Sequence, residues 1–162
     1  MRRTRSALPI DSSLFFKLVR VVNQTARPFV ETLARTHQLS LNEWRVMVVL
    51  ASHPGVAASD LAASTGLDKM SISRAVAALS RHGRLTKKLD AQDGRRTLLW
   101  LNAAGMRVYR TIGEPAKARE AQLFGGIDTA ELAQLDRLVD KLLLALSEPE
   151  QAGALRPGGA DR

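Results

Sequence analysis

The sequence predicts a mainly α-helical fold with one small β-hairpin, and two observations support this class. Only 4% of the 162 residues are aromatic, and a composition rich in alanine and aliphatic residues favours helices packed on helices. Apolar residues recur at helical spacing along most of the chain, whereas a strand-like alternation around an Asp-Gly pair is confined to residues 85–101. The sequence therefore predicts helices on both sides of a single hairpin.

The N-terminal part of the sequence predicts one long helical segment, and a central helix follows it. Apolar side chains recur at helix-like spacing at Leu14, Leu18, Val21, Val22, Phe29 and Leu33. Pro28 interrupts this segment, so we expect a kink or two consecutive helices. The next helix has a capping-box pattern in Ser40 and Glu43 and ends at 54–55. It is apolar on nearly every side over 44–51, which predicts a central position in the fold.

Two short helices separated by a tight turn form a helix-turn-helix pattern. The stretch "ASDLAASTG" predicts a short helix that Gly66 closes in the left-handed conformation. Asp68 then caps a second helix over residues 69–81, which Gly83 terminates. A turn of about three residues that contains a glycine is what this motif requires.

The second of these helices has one apolar side and one small, polar and basic side. Its core stripe consists of Ile72, Ala75, Val76 and Leu79. No acidic residue follows Asp68 on the outer face, so this face could enter the DNA major groove, where phosphates line both rims. The alternative is an ordinary amphipathic helix with a solvated face. The candidate DNA-contacting residues are Lys69, Met70, Ser71, Ser73 and Arg74, with Ala77 and Arg81 further along the same face.

The hairpin carries two adjacent arginines that a turn does not need. The strands "RLTKKL" and "TLLWL" enclose the loop "DAQDGRR", in which Asp90 can tie the base. Arginine suits the negative potential of the minor groove, so the loop could reach the groove beside the helix. Asp93 is expected to pair with Arg95 or Arg96 and direct its guanidinium, and the strand lysines can meet phosphates. The alternative is a salt-bridged turn on a solvated surface. The candidate hairpin residues are Lys87, Lys88, Asp93, Arg95 and Arg96.

The positive charge of the chain is concentrated in this same region. The net charge is +8, and residues 69–96 contain eight Lys or Arg and two Asp. A second basic cluster lies in the N-terminal segment 1–10, which we expect to be flexible. A concentrated excess of positive charge indicates a polyanionic partner, and double-stranded DNA fits the two motifs described above.

Several classes of protein and site are not predicted. The chain has no cysteine, which excludes disulfides and thiolate zinc sites. The three histidines are spread along the chain without metal-ligand spacing, so we expect neither a metal nor another cofactor. No phosphate-binding glycine loop or catalytic constellation appears, so an enzyme is not expected. Neither a membrane span nor a secretory signal is evident, which favours the cytoplasm by default.

The C-terminal part predicts two helices and a disordered tail. Asn102 can cap a helix that runs to about Phe124 with Pro115 inside it, and the glycines at 125–126 end that helix. Asp128 opens the last helix, whose apolar stripe is Leu132, Leu135, Leu138, Val139, Leu142 and Leu146. The Pro/Gly-rich residues 148–162 are expected to be disordered.

The segment 41–105 resembles the multiple-antibiotic-resistance regulator (MarR) family of winged helix-turn-helix transcription factors. The resemblance rests on "LAASTGLDKMSISRAVAALSRHG", on the D-x-x-D-x-R pattern of the hairpin and on "LNAAG". Two departures are Gln92, where the wing often carries arginine, and Ala57, a poor cap expected at the start of the first short helix. The resemblance implies a winged helix-turn-helix lobe over 40–102 and an N- and C-terminal helical dimerisation region over 11–38 and 103–147. The expected dimer-interface residues are Leu14, Leu18, Leu135, Leu138 and Leu142.

The resemblance also implies a function. Family members commonly repress transcription as homodimers on palindromic operators and are released when a small, often aromatic or phenolic, anion binds. An aromatic wall with one cation suits an aromatic carboxylate, and the pocket candidates are Phe15, Phe16, Trp44 and Arg45. The alternative for Trp44 is an ordinary core residue. The alternative function is a DNA-binding architectural protein without sequence preference or ligand response.

Overall fold

The computed structural model describes residues 12–147, except for the side chain of Pro28. Within these residues the chain is mainly helical with one small antiparallel sheet, which confirms the predicted fold class. The predicted segments 1–10 and 148–162 lie outside the described residues. In chain order the elements are α1 (Leu14–His37), α2 (Leu41–Ser52), β1 (Val56–Ala57), α3 (Leu61–Thr65), α4 (Lys69–Arg81), β2 (Leu85–Leu89), β3 (Thr97–Leu101), α5 (Ala103–Phe124) and α6 (Thr129–Ser147).

Helix α1 is a single helix of 24 residues, so the alternative of two consecutive helices is wrong. The hydroxyl of Ser13 accepts a hydrogen bond from the amide of Phe16 at its start. At its end Gln38 adopts a left-handed conformation with φ 47°. Leu33, near that end, is buried in the core, whereas Leu14, Phe15 and Leu18 in the first turns are exposed.

Helix α2 lies at the centre of the core, as its apolar sequence predicts. The capping box is present, because Glu43 N–H donates to the Ser40 hydroxyl and the Ser40 amide donates to the Glu43 carboxylate. The side chains of Trp44, Val46, Met47 and Leu50 are buried. They pack with residues from α1, α3, α4 and β3, and this contact on several sides explains why α2 has almost no polar face.

The helix-turn-helix pattern is confirmed in α3 and α4. Gly66 ends α3 in the left-handed region with φ 66°, where a side chain would be strained. Asp68 then caps α4, and its carboxylate accepts a hydrogen bond from the amide of Ser71 at 2.8 Å. The predicted core stripe of α4 is buried in full and packs into the same core as α2.

The sheet has three strands in the order β1-β3-β2, one more than the sequence predicted. Strands β2 and β3 form the expected hairpin around the loop 90–96, with Lys87 opposite Leu99. The missed strand β1 pairs with the other edge of β3, where Ala57 lies opposite Leu98. Ala57 is therefore a strand residue, and the expectation that it begins the first short helix is wrong. Asp60 holds the position before α3.

Helix α5 begins where the sequence indicated, and its first turn packs tightly. The side chain of Asn102 accepts a hydrogen bond from the amide of Gly105 at 3.0 Å. A Cβ atom on Gly105 would clash with the backbone carbonyl of Arg84. Pro115 lies inside α5, as predicted. Glycine at 105 is therefore required by the close approach of two backbone segments.

The described residues divide into two compact units, one up to Ala118 and one from Arg119 onward. The second unit contains the end of α5 and the whole of α6. Asp128 and Glu131 form a reciprocal cap at the start of α6, since the carboxylate of each accepts a hydrogen bond from the amide of the other. None of the described helices is long and apolar enough to cross a membrane.

Two glycines of α5 are expected to respond oppositely to alanine. Gly105→Ala should lower the free energy of unfolding by roughly 1–3 kcal/mol, because the new methyl group overpacks against fixed backbone. Gly113→Ala is the matched control, since a Cβ there meets no atom within 4 Å, and it should stabilise the helix by up to about 1 kcal/mol. Urea denaturation measures both changes. Equal effects at the two positions would contradict the tight packing at residue 105.

Candidate nucleic-acid interface

Helix α4 presents the predicted outer face to solvent. Lys69, Ser73 and Arg74 are exposed, and the side chain of Met70 is 61% exposed. Arg74 makes no side-chain hydrogen bond or ion pair with another described residue, so its guanidinium is available to a partner. The helix therefore presents two exposed cations and a small polar group, which are the kinds of side chain that contact base edges and phosphates in a major groove.

Ser71 is in a different position from the other candidates, because its hydroxyl is already used. It donates to the Asp68 carboxylate at 2.6 Å and is half-buried. The hydroxyl and amide of Ser71 hold the pKa of Asp68 below its ordinary value of 3.8. The cap is fully present above about pH 4, and it is lost as the pH falls through the lowered pKa. The first turn of α4 is thus fixed at neutral pH.

The loop 90–96 is held by its own backbone and by two aspartates. Asp90 N–H donates to the Arg96 carbonyl, which closes the base of the loop at 2.9 Å. The Asp90 carboxylate accepts the amide of Gln92, as a residue tying the loop base should. The Asp93 carboxylate accepts the backbone amide of Arg95 at 3.0 Å. Asp93 therefore shapes the backbone, and the expectation that it pairs with an arginine side chain is wrong.

The guanidinium of Arg96 instead pairs with Asp60, at the start of α3. The two groups are 2.7 Å apart, and their side chains are 44% and 51% exposed. The second oxygen of Asp60 accepts the hydroxyl of Ser59. Arg95, next in the loop, is exposed and has no side-chain partner among the described residues. The two adjacent arginines thus differ in role: Arg96 is held against α3, and Arg95 is free.

The two strand lysines lie on opposite faces of the sheet, because side chains alternate along a strand. Lys87 shares the face of buried Leu99 and lines a groove beside Lys69 and Ser73 of α4. Lys88 lies on the other face, with its Nζ 5.7 Å from the ring centroid of Trp100. Only Lys87 therefore adds its charge to the groove beside α4.

A second groove lies on the other flank of α4, against the start of α2. Its lining includes Arg74 and Arg81 of α4 together with Asn42 of α2. Cationic side chains consequently border α4 on both sides, Lys69 and Lys87 on one and the two arginines on the other. Such a distribution matches two phosphate backbones on either side of a groove.

The four pocket candidates do not form one cluster of ring contacts. The ring of Trp44 stacks on Tyr109, with centroids 5.5 Å apart, and meets Phe29 edge-on at 5.8 Å. Phe15 and Phe16 contact each other edge-on at 5.8 Å. The guanidinium of Arg45 bonds the side chain of Asn42 at 3.4 Å. Trp44 is 8% exposed, so the alternative that it serves the core accounts for its position, and the pocket stays a prediction.

The five candidate interface leucines are all exposed in the single chain. The exposed fraction of their side chains is 36% or more: Leu14 67%, Leu18 40%, Leu135 36%, Leu138 49% and Leu142 49%. The two in α1 and the three in α6 belong to different units. Apolar surface of this extent marks each helix as a candidate interaction face.

The described residues contain no candidate metal site, and the sequence carries no signal for the contact between Arg96 and Asp60. Within residues 12–147, no cluster of three or more His, Asp or Glu side chains could hold a metal ion. The partner of Arg96 was missed, because Asp60 lies 36 residues earlier and looks in the sequence like an ordinary helix cap. In the fold it makes no capping hydrogen bond with its side chain.

Asp60→Asn tests whether the ion pair orients the loop. The free energy of unfolding should change by no more than about 1 kcal/mol, because both groups are largely exposed. The backbone of residues 90–96 should nevertheless become more mobile, which NMR order parameters measure. Glu114→Gln is the matched control, since it removes an exposed ion pair with Lys117 in α5. Unchanged order parameters in the loop would show that Asp60 does not position it.

Comparisons with known proteins agree with this geometry. The sequence model of the MarR family matches residues 37–96, which include α2, α3, α4 and the hairpin loop. A protein of Thauera aromatica, described as a candidate transcriptional regulatory protein for the hcr operon, is 25% identical over 135 residues. The alignment covers 83% of this chain and 81% of that protein.

Two solved structures are similar over most of their length. The PcaV transcriptional regulator of Streptomyces coelicolor, solved with its natural ligand, has 25% identity and a TM-score of 0.70, covering 87% of this chain and 99% of that one. A MarR/EmrR family regulator of Acinetobacter sp. ADP1 has 24% identity and a TM-score of 0.78, covering 86% and 98%. These relatives are transcriptional regulators and not enzymes. The part of the chain that carries the helix-turn-helix and the hairpin loop is thus similar to the MarR family, and the chain over most of its length is similar to transcriptional regulators.

Proposed function

We propose that the chain is a homodimeric repressor that binds a palindromic operator in a sequence-specific manner and is released by a small aromatic or phenolic ligand. The observation that carries the proposal is the pairing of an exposed basic face on α4 with the free guanidinium of Arg95 on the neighbouring loop. Repression requires DNA, so we place its action in the cytoplasm, where a bacterial chromosome lies.

Base recognition is assigned to α4, which acts as the recognition helix. Arg74 is placed to bridge the acceptors of a guanine, and Ser73 to donate or accept at a base edge. Met70 supplies an apolar contact such as a thymine methyl group favours. Lys69 lies at the helix start, where it can meet a phosphate. The buried stripe on the opposite side of α4 supports this assignment by fixing the rotation of the helix.

The wing, residues 85–101, is assigned to the minor groove and the backbone beside it. Arg95 carries the groove contact, since it is exposed and unpaired. Arg96 and Asp93 position the loop through the contacts to Asp60 and to the Arg95 amide. Lys87 meets phosphates from the groove beside α4, and Lys88 adds charge on the outer face of the sheet.

Dimerisation supplies a second recognition helix, which binds the second half-site of the operator. Regulators of this family act as dimers, and a two-fold dimer matches an inverted repeat. The exposed leucines of α1 and of α6 are the proposed interface, because apolar surface of this kind is stabilised by burial against a copy. Two recognition helices must be about 34–36 Å apart to meet successive major grooves, so the interface controls affinity.

A ligand would act by changing this separation. Some regulators of the family bind small molecules, and PcaV was solved with its natural ligand. In this chain the aromatic groups around Trp44 and the Phe15–Phe16 pair supply apolar walls, and Arg45 supplies a cation for a carboxylate. The ligand must bind better to dimers whose recognition helices no longer match the grooves.

A second candidate function is an architectural protein that binds DNA without sequence preference. The cations on both flanks of α4 and on the wing also fit that role. Salt dependence does not separate the two functions, because both neutralise phosphates. The ratio between affinity for a defined palindrome and affinity for random DNA does separate them.

Selection of bound sequences from random duplex DNA tests the proposed function. The proposal predicts recovery of an inverted repeat whose half-sites lie one helical turn apart, bound at least about a thousandfold more tightly than random DNA. The purified full chain at physiological salt is the required material. Recovery of sequences with no shared motif would overturn the proposal in favour of the architectural function.

Arg95→Ala should weaken binding to the selected operator by roughly 1–3 kcal/mol, because a groove contact of this kind is lost. Dissociation constants measured at matched salt give the change. Arg110→Ala is the matched control, since it removes an arginine of α5 that is also exposed. A loss of the same size in the two variants would mean that general charge, and not a groove contact, accounts for the effect.

A further inference from the structure

Arg84 joins α1 to the junction between α4 and β2. Its Nη2 donates a hydrogen bond to the backbone carbonyl of His37 at 2.5 Å, across 47 residues of sequence. His37 is the last residue of α1, so the bond reaches a carbonyl at the helix C-terminus. A charged donor at that end interacts favourably with the helix dipole and makes a stronger bond than a neutral donor.

The backbone of Arg84 holds the second connection between the helix-turn-helix lobe and the flanking helices. Its amide donates to the Leu79 carbonyl of α4 at 2.9 Å, and its carbonyl accepts from the amide of Asn102 at 3.2 Å. The side chain of Asn102 also donates to the Gly83 carbonyl at 2.8 Å. The chain enters the lobe after His37 and leaves it at Asn102. Arg84 therefore forms a hydrogen bond at each of these two junctions.

The environment of Arg84 indicates that this bridge has a cost. Its Nη1 is buried and has no hydrogen-bond partner among the described residues. An unpaired buried donor is unfavourable, and an apolar residue at this position would avoid the penalty. An apolar residue would not hold the end of α1, however. The arginine is therefore better explained by the link it makes than by stability alone.

We propose that Arg84 is a positioning residue that fixes the orientation of the DNA-binding lobe relative to α1, and so the separation of the two recognition helices in the dimer. The proposal rests on the proposed function, in which α1 contributes to the dimer interface. One base pair corresponds to about 3.4 Å along the duplex, so small rotations of the lobe change which half-site spacing fits.

The distance between recognition helices is directly measurable. The chain has no cysteine, so Ala77→Cys on the exposed face of α4 gives one spin-labelled position per protomer. Pulsed electron paramagnetic resonance on the full chain without DNA should give one narrow distance distribution. Adding Arg84→Gln should at least double the width of that distribution. Arg107→Gln is the matched control, because it removes an exposed arginine near the start of α5 and should leave the distribution unchanged.

A binding assay gives the functional consequence. Affinities are measured for the selected inverted repeat and for copies with one base pair added or removed between the half-sites. Arg84→Gln should reduce the discrimination between these spacings at least threefold, with affinity for an isolated half-site unchanged. Arg84→Lys, which keeps the charge and one donor, should restore part of the discrimination and guards against a variant that fails to fold.

The outcomes separate the two proposals. A distance distribution and spacing preference in Arg84→Gln equal to those of the parent chain would overturn the role of Arg84 and leave the repressor proposal intact. A parent chain that gives no inter-protomer distance, or no preference among spacings, would overturn the dimeric operator-binding function and this inference with it.

Discussion

The packing of α4 against the central core is the interaction on which the DNA-binding surface depends. Four apolar side chains of α4 are buried in the cluster that also holds α2. Burial of a side chain such as Ile72 or Leu79 contributes about 1.5–3 kcal/mol, so this stripe determines which side of α4 faces inward. Because residues turn by about 100° along a helix, the rotation that buries the stripe also exposes Arg74 and Ser73.

The wing is positioned by a different kind of contact, polar and close to the surface. The sheet holds the strands of the wing, since β3 pairs on both edges. The Asp60–Arg96 ion pair connects the loop of the wing to the start of α3. Asp93 shapes the backbone that presents Arg95. The position of the wing therefore depends on the strand pairing of the sheet and on one exposed ion pair at the base of its loop. Its orientation should be more sensitive to salt than that of α4.

The elements with local sequence signals were predictable, and those made by distant partners were not. The caps at Ser40 and Asp68 and the core stripe of α4 depend on neighbours within one or two turns. Strand β1 forms because β3 offers a free edge for pairing. It has only two residues, which is too few to show an alternating pattern in the sequence. Likewise, the partners of Arg96 and Arg84 lie 36 and 47 residues away, where sequence spacing carries no information.

Helix α4 and the loop 90–96 are proposed to contact DNA together. Backbone amide chemical shifts of the full chain, recorded with and without a duplex carrying the selected operator, test it most directly. The largest changes should fall in residues 69–74 and 90–96, with smaller changes along the flanking grooves. Large changes confined to α6 or to the outer face of the sheet, with these two segments unaffected, would contradict it.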